Sequence, residues 1–226
     1  MSLNPTMVLM LSLMAGELSA NCIAQYPIPA GLYSLSVEEL KSEQAKFQRR
    51  DQIHLAFKQG IYSTLRKKMR YSDGEAYLAK PALVRWNKFK PREEYIYDGK
   101  DLYIHHVDQM SAMKFSSKGS QAKEFESIIE IVLSFDSLLK SYDIVQVGLD
   151  RNLQEIFLRA SPKKPSDLLE VLVKYSKTNG AISNLCLEYK EGKLQTYDFS
   201  FKESNKFSHQ VFRFEAPKGV KLEVYD

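Results

Sequence analysis

The chain has 226 residues, 44% apolar, 27% charged and 12% aromatic, a globular composition that excludes an intrinsically disordered chain. Its 32 basic and 28 acidic residues leave a net charge of +4, too balanced to point to nucleic acid by bulk electrostatics. The 13 tyrosines and 12 phenylalanines favour β-structure, because aromatic side chains suit a pleated, half-buried surface.

The run from Met7 to Met14, Met-Val-Leu-Met-Leu-Ser-Leu-Met, falls short of the roughly 20 residues a membrane-spanning helix needs and matches the apolar core of a secretory leader. Small residues follow it, with cleavage expected after Ala24 or after Ala20. Residues 1–24 are therefore read as a leader and residues 25–226 as a single domain. Cleavage after Ala24 removes Cys22, so the mature chain is expected to carry one thiol, Cys186, and no internal disulfide. Cys186 then reads as a small buried strand residue. Cys22 is a poor lipidation site, with Asn21 just before it and Ser19 three before.

Beyond Tyr26-Pro27-Ile28-Pro29, Ser36 and Glu39 have the spacing of a capping box, and a helix is expected over 37–50. The stretch from Ile53 to Tyr62 is compatible with strand or helix. Arg66-Lys67-Lys68-Met69-Arg70 forms a basic hairpin tip, expected to steer docking to an acidic partner or to anionic lipid headgroups, and Ser72-Asp73-Gly74 reads as a turn. A period of two then takes over. Strands are expected at 77–79 and 82–89, broken by Lys80-Pro81, with Val84 and Trp86 sharing one face. Asp98-Gly99 marks a hairpin, and 102–107 is its return strand.

Between 121 and 140 the period changes. Phe125, Ile128, Ile129, Val132, Phe135, Leu138 and Leu139 recur at three- and four-residue spacing, the pattern of an amphipathic helix with a wide apolar stripe. A meander follows, with alternating Leu169, Val171, Val173 and Tyr175, then Leu185, Leu187 and Tyr189, then Tyr197, Phe199 and Phe201. Phe212 and Phe214 alternate before a short last strand. The reading is a mainly β chain with helices (α+β): an incomplete, strongly curved antiparallel β-barrel of about ten to eleven strands. The stripes of the helices at 37–50 and 121–140 need burial, and the apolar concave face is the place for them.

No catalytic spacing, phosphate loop or zinc pattern stands out. His105 and His106 are adjacent on a strand and so face opposite sides. No catalytic residue, metal or cofactor is expected.

This order of elements resembles the outer-membrane lipoprotein carrier family. His54-Leu55-Ala56-Phe57-Lys58-Gln59 is similar to the family's Phe-x-Gln, and Gly74 to Pro81 to its Gly-x-Leu-x-x-Arg-Pro. Val84-Arg85-Trp86 resembles Phe-x-Trp, and Asp98-Gly99-Lys100-Asp101-Leu102-Tyr103 resembles Asp-Gly-x-x-Leu-Trp. Gln109 falls where a Glu-Gln pair is common. Phe212 to Val220 resembles the closing Phe-x-Phe-x-x-Pro-x-Gly-Val. The resemblance implies a helical lid over a hydrophobic cavity and a monomeric, non-enzymatic carrier in the periplasm. Its cargo would be the acyl chains of lipidated proteins. Its partners would be an inner-membrane ABC-type lipoprotein-releasing complex and an outer-membrane lipoprotein acceptor. An acceptor of the same fold anchored through Cys22, and a carrier of another amphiphile such as a glycolipid, are the alternatives. The cavity is expected to be lined by Phe57, Val84, Trp86 and Tyr95 on the sheet and by Ile129, Val132 and Leu133 on the lid. Lys80 stands where the family has an arginine thought to latch the lid through helix carbonyls; lysine keeps the charge but lacks the planar fork.

Overall fold

The structure is a computed structural model that describes residues 21–45, 51–133, 135–178, 181–202 and 207–225. One sheet of thirteen strands organises it, more strands than the ten to eleven expected. Three elements escaped the period-two reading: β1 (Tyr33–Ser34), β7 (Ser111–Ser116) and β8 (Tyr142–Asp150).

The sheet joins two meanders. The first runs β2 (Gln52–Ser63), β3 (Lys68–Ala79), β4 (Leu83–Lys88), β5 (Glu93–Tyr97), β6 (Asp101–His106) and β7; the second runs β8, β9 (Glu155–Pro162), β10 (Leu168–Ser176), β11 (Ala181–Tyr189) and β12 (Leu194–Phe201). Antiparallel pairing of β12 with β2 closes them into one surface, from Leu194 opposite Tyr62 to Phe201 opposite Leu55. The outer strands are β1, beside β8, and β13 (Lys221–Tyr225), which lies parallel to β7. Because β1 and β13 do not pair with each other, the sheet stays an open barrel with two edges.

Alternation decides what each face buries. Leu55, Phe57, Val84, Trp86, Leu158, Val173, Leu185, Leu187, Tyr197 and Phe199 all belong to one buried cluster on the concave face. Leu40 joins it from α2 (Val37–Ala45) and Leu35 from the residues just before it, and the helix start is capped as expected: the Ser36 N–H donates to Glu39 at 2.7 Å and the Glu39 N–H donates to Ser36 Oγ at 3.1 Å. The rest of the helix expected at 37–50 lies outside the described residues. The long central helix resolves into α3 (Ser120–Leu133) and α4 (Phe135–Ser141). Ala122, Ile129, Ile131, Val132 and Leu138 place both in the concave cluster, as the stripe requires.

Two local expectations are corrected. Ser72-Asp73-Gly74 is no turn; it continues β3, with Gly74 opposite Phe57 on one side and Lys88 on the other. Phe212 and Phe214 do not alternate along a strand. A short 3-10 turn (His209–Phe212) and an extended segment carry them across the convex face, where Gln52 ties down the Phe207 backbone, Arg85 donates to the Val211 carbonyl at 3.3 Å and Tyr103 stacks on Phe214.

Cys22 overturns the single-thiol expectation. It forms a disulfide with Cys186, 164 residues away. Around that bond the amino-terminal segment packs on the convex face. Cys22 and Cys186 are fully buried in a small cluster with Leu172 and Leu194, flanked by Tyr26, Ile28 and Tyr62. The Cys22 N–H donates to Glu188 at 3.2 Å and the Tyr26 hydroxyl to Asp198 at 2.7 Å. Asn21 caps the one-turn helix α1 (Cys22–Gln25) by accepting from the Ala24 N–H at 2.7 Å.

Candidate functional site

Where α3 crosses the concave face, it leaves a cavity of about 260 Å³ between helix and sheet. Its apolar wall comes from Trp86, Leu102 and Ile104 on β4 and β6, from Ile61 on β2, and from Phe125, Ile128 and Ile129 on α3. The β-register brings the sheet residues together: Trp86 stands opposite Tyr95, and Tyr95 opposite Ile104. Helical spacing does the same for the lid, since positions three and four apart share a face. The Tyr95 and Phe125 rings stack across the cavity with centroids 5.7 Å apart, and the Tyr97 hydroxyl donates to Glu126 at 3.4 Å. These contacts hold α3 against the sheet.

The rim is polar. Lys88 donates to Glu93 at 3.1 Å and to the Tyr95 hydroxyl at 3.3 Å, and that hydroxyl donates to Glu93 at 3.0 Å. Burial pushes the Tyr95 phenol well above its ordinary range, and the Glu93 carboxylate adds to the effect. Burial pushes Glu93 up as well, but Lys88, Tyr95 and His106 outweigh it and hold the carboxyl below its usual range. On the other side of the mouth Gln59 donates to the Tyr197 hydroxyl at 2.9 Å, and Tyr197 donates to Gln195 at 3.0 Å. An apolar interior with paired polar groups at its mouth suits an amphiphile with its hydrocarbon inside. A larger recess of about 530 Å³ lies on the convex face beneath the 210–217 segment. Arg85, Glu94, His105, Arg213 and Glu215 line it, and those charges make it unsuited to hydrocarbon.

Of the residues expected in the cavity, Trp86, Tyr95 and Ile129 line it. Phe57 sits behind Trp86, stacked on it at 4.1 Å. Val84, Val132 and Leu133 pack in the surrounding core and do not line the hollow. Ile61, Leu102, Ile104, Phe125, Ile128 and Tyr197 also line the hollow without having been expected there; of these, the helical stripe includes Phe125 and Ile128, and the alternating row of aromatics includes Tyr197. Among the described residues Lys80 meets no helix carbonyl. It pairs with Asp51 at 3.1 Å on the surface, at the foot of β3. His105 and His106 do diverge: His105 meets Glu94 on the convex side and His106 meets Glu93 near the rim.

The model of the outer membrane lipoprotein carrier protein LolA matches residues 48–215. The chain belongs to this family. Among curated relatives, the outer-membrane lipoprotein carrier protein of Pectobacterium atrosepticum is 27% identical over 86% of this chain and 93% of its own length. That of Erwinia tasmaniensis is 26% identical over 78% and 84%. An uncharacterized conserved protein from Thermus thermophilus shares the fold, with a TM-score of 0.52 and 13% identity over 84% of this chain and all of that one. In the LolA-family chain described here, the helix over an open sheet and the cavity between them are built from this chain's own aromatics. Among the described residues no helix is long and apolar enough to cross a membrane.

Proposed function

We propose that this protein is a periplasmic carrier that holds the acyl chains of lipoproteins in the hollow between α3 and the concave sheet and passes them from the inner membrane towards the outer membrane. The observation that carries this reading is the seating of the apolar stripe of α3 on an aromatic wall with a cavity left between them. A lipidated amino terminus is insoluble because its chains expose apolar surface, and burial returns about 0.8 kcal/mol per CH₂. At about 260 Å³ the cavity left with α3 on the sheet lies just under the roughly 300–1,000 Å³ typical of pockets for small ligands. Acyl chains therefore enter only as α3 moves away and its stripe joins the lining. Cargo affinity is then reduced by whatever holds the lid closed, here the Tyr95–Phe125 stack and the Tyr97–Glu126 bond. No bond is made or broken in this cycle, and the family is one of carriers. An ABC-type releasing complex in the inner membrane and an outer-membrane acceptor are the partners such a cycle requires.

The disulfide supports the soluble carrier over an anchored acceptor, because a Cys22 sulfur bonded to Cys186 cannot also hold a diacylglyceryl thioether. It also supports a leader that ends at Ala20, leaving Asn21 free to cap α1. Intact-mass measurement of the secreted protein tests both points. A chain starting at Asn21 and lacking two hydrogens is expected; a start at Gln25, or a diacylated Cys22, contradicts them. For the function itself, membranes bearing a fluorescent lipoprotein are incubated with the releasing complex and this protein. Label is expected to pass into a soluble one-to-one complex, and label that stays on the membrane rejects the carrier reading.

A further inference from the structure

The hairpin that joins β2 to β3 ends in an exposed leucine set among cations. Leu65 is 98% exposed, so the fold gains nothing from its side chain. Arg66, Lys67, Lys68 and Arg70 surround it, all exposed, and the stretch from Ile61 to Ser72 contains no acidic residue. Tyr71, at the base of the tip, is 57% exposed. The turn between β11 and β12 lies alongside, with Gly192 against the Thr64 methyl, and brings Lys190, Glu191 and Lys193 to the same end of the sheet.

The tip stands at the mouth of the cavity. Ile61, just before it on β2, lines the hollow, as does its cross-strand neighbour Gln195. At about 3.3 Å per residue, Leu65 reaches at most roughly 13 Å beyond Ile61. A lone exposed leucine is ordinary on a protein surface. A leucine at the apex of a cationic hairpin, beside the opening of an acyl-chain cavity, is a different arrangement.

We propose that this tip docks the carrier on an anionic bilayer, with Leu65 inserted among the lipid headgroups and the cations against their phosphates. Shape decides between a membrane and an acidic protein. A stable protein interface needs about 800 Å² on each side with matched relief, and a thin convex apex offers little of that. A fluid bilayer yields to an apex. Each basic residue near an anionic membrane adds attraction that falls off within a Debye length, and the apolar side chain adds the burial that a solvated charge cannot. Docked this way, the carrier presents the open end of its cavity to the leaflet from which chains arrive or into which they leave. The use of docking for transfer rests on the carrier reading; docking itself does not.

Flotation with vesicles of phosphatidylethanolamine and phosphatidylglycerol, and with vesicles of phosphatidylcholine alone, tests it on the disulfide-bonded protein without cargo. Binding to the anionic vesicles is expected, with none to the neutral ones and loss at high salt. L65S and the K67E/K68E double variant are each expected to bind the anionic vesicles about tenfold more weakly. Both positions are exposed, so an unchanged unfolding transition will show that neither variant has lost the fold. Absence of wild-type flotation overturns the proposal, as does binding by the variants equal to wild type. A K67E/K68E variant that floats normally but accepts lipoprotein slowly assigns the tip to an acidic protein and also overturns it. If the releasing complex loads wild type while it fails to float, the carrier reading stands and the docking does not. The reverse result separates them the other way.

Discussion

The Phe57 and Trp86 rings stack with centroids 4.1 Å apart, although β3 lies between their strands. The pairing explains how. Opposite Phe57, β3 places Gly74; opposite Trp86, it places Ala76. A Cβ on Gly74 would come within 2.4 Å of the Phe57 ring and 2.1 Å of the Asn87 carbonyl oxygen. The glycine thus clears the path along which Phe57 leans onto the back wall of the cavity.

Gly74→Val is expected to drive Phe57 off Trp86 and to destabilise the fold by about 1–3 kcal/mol, the usual cost of overpacking a core. Phe57→Ala should cost about 3–5 kcal/mol. Trp86 is the sole tryptophan, so urea titrations followed by its fluorescence measure both losses. The native emission should also change as the stack is removed.

Ile128→Glu places a carboxylate on the cavity side of α3, where the isoleucine is only half-buried. Acyl-chain uptake should fall at least tenfold, because hydrocarbon cannot solvate the charge. Stability should change far less than for a deep-core substitution. Displacement of a fluorescent fatty acid reads the first, and thermal unfolding the second.

The Cys22–Cys186 bond closes a loop of 164 residues. C186S or C22S should lower stability by about 2–5 kcal/mol, chiefly by freeing the unfolded chain. Chemical denaturation of wild type with and without reductant should reproduce the same loss. A variant as stable as wild type would show that the disulfide adds nothing to the fold.

Glu93 titrates below the ordinary carboxylate range in the folded chain, despite burial, because Lys88, Tyr95 and His106 favour its charged form. A depressed carboxyl stabilises the fold above its unfolded pKa of about 4.3. That contribution is lost as pH falls from there through the folded value. Stability should therefore drop in this acidic window, and Glu93→Gln should show a shallower drop when unfolding is followed from about pH 6 to well below the ordinary carboxylate range.

Lys80 meets Asp51, which is largely exposed. Such pairs are worth about 0–1 kcal/mol. Lys80→Ala is expected to shift the unfolding midpoint slightly and to leave the rate of acyl-chain entry unchanged, as measured by stopped-flow fluorescence. A faster entry would instead support the latch role that the resemblance implies.

Local rules account for much of this molecule. The Ser36–Glu39 cap, the Asp98-Gly99 hairpin and the alternating faces of β10, β11 and β12 are each set by residues within a few positions of one another, so they can be read along the chain. The seating of α2 and α3 on the concave face also follows from pattern, because an apolar stripe must be buried and the aromatic face was available. Gly74 misled for an instructive reason. Glycine marks turns when the backbone needs a left-handed conformation, but here its missing side chain serves a ring from the neighbouring strand.

What the chain alone determined is the periodicity: which residues face inwards, where helices interrupt strands, and hence an open barrel with a greasy hollow and the family to which it belongs. Tertiary structure decided the rest. Whether an inward residue lines the cavity, as Ile104 does, or only backs it, as Val84 does, depends on where α3 comes to rest across strands far away in sequence. Whether Cys22 meets Cys186, and whether Lys80 meets a helix or Asp51, depends equally on distances that no local pattern encodes.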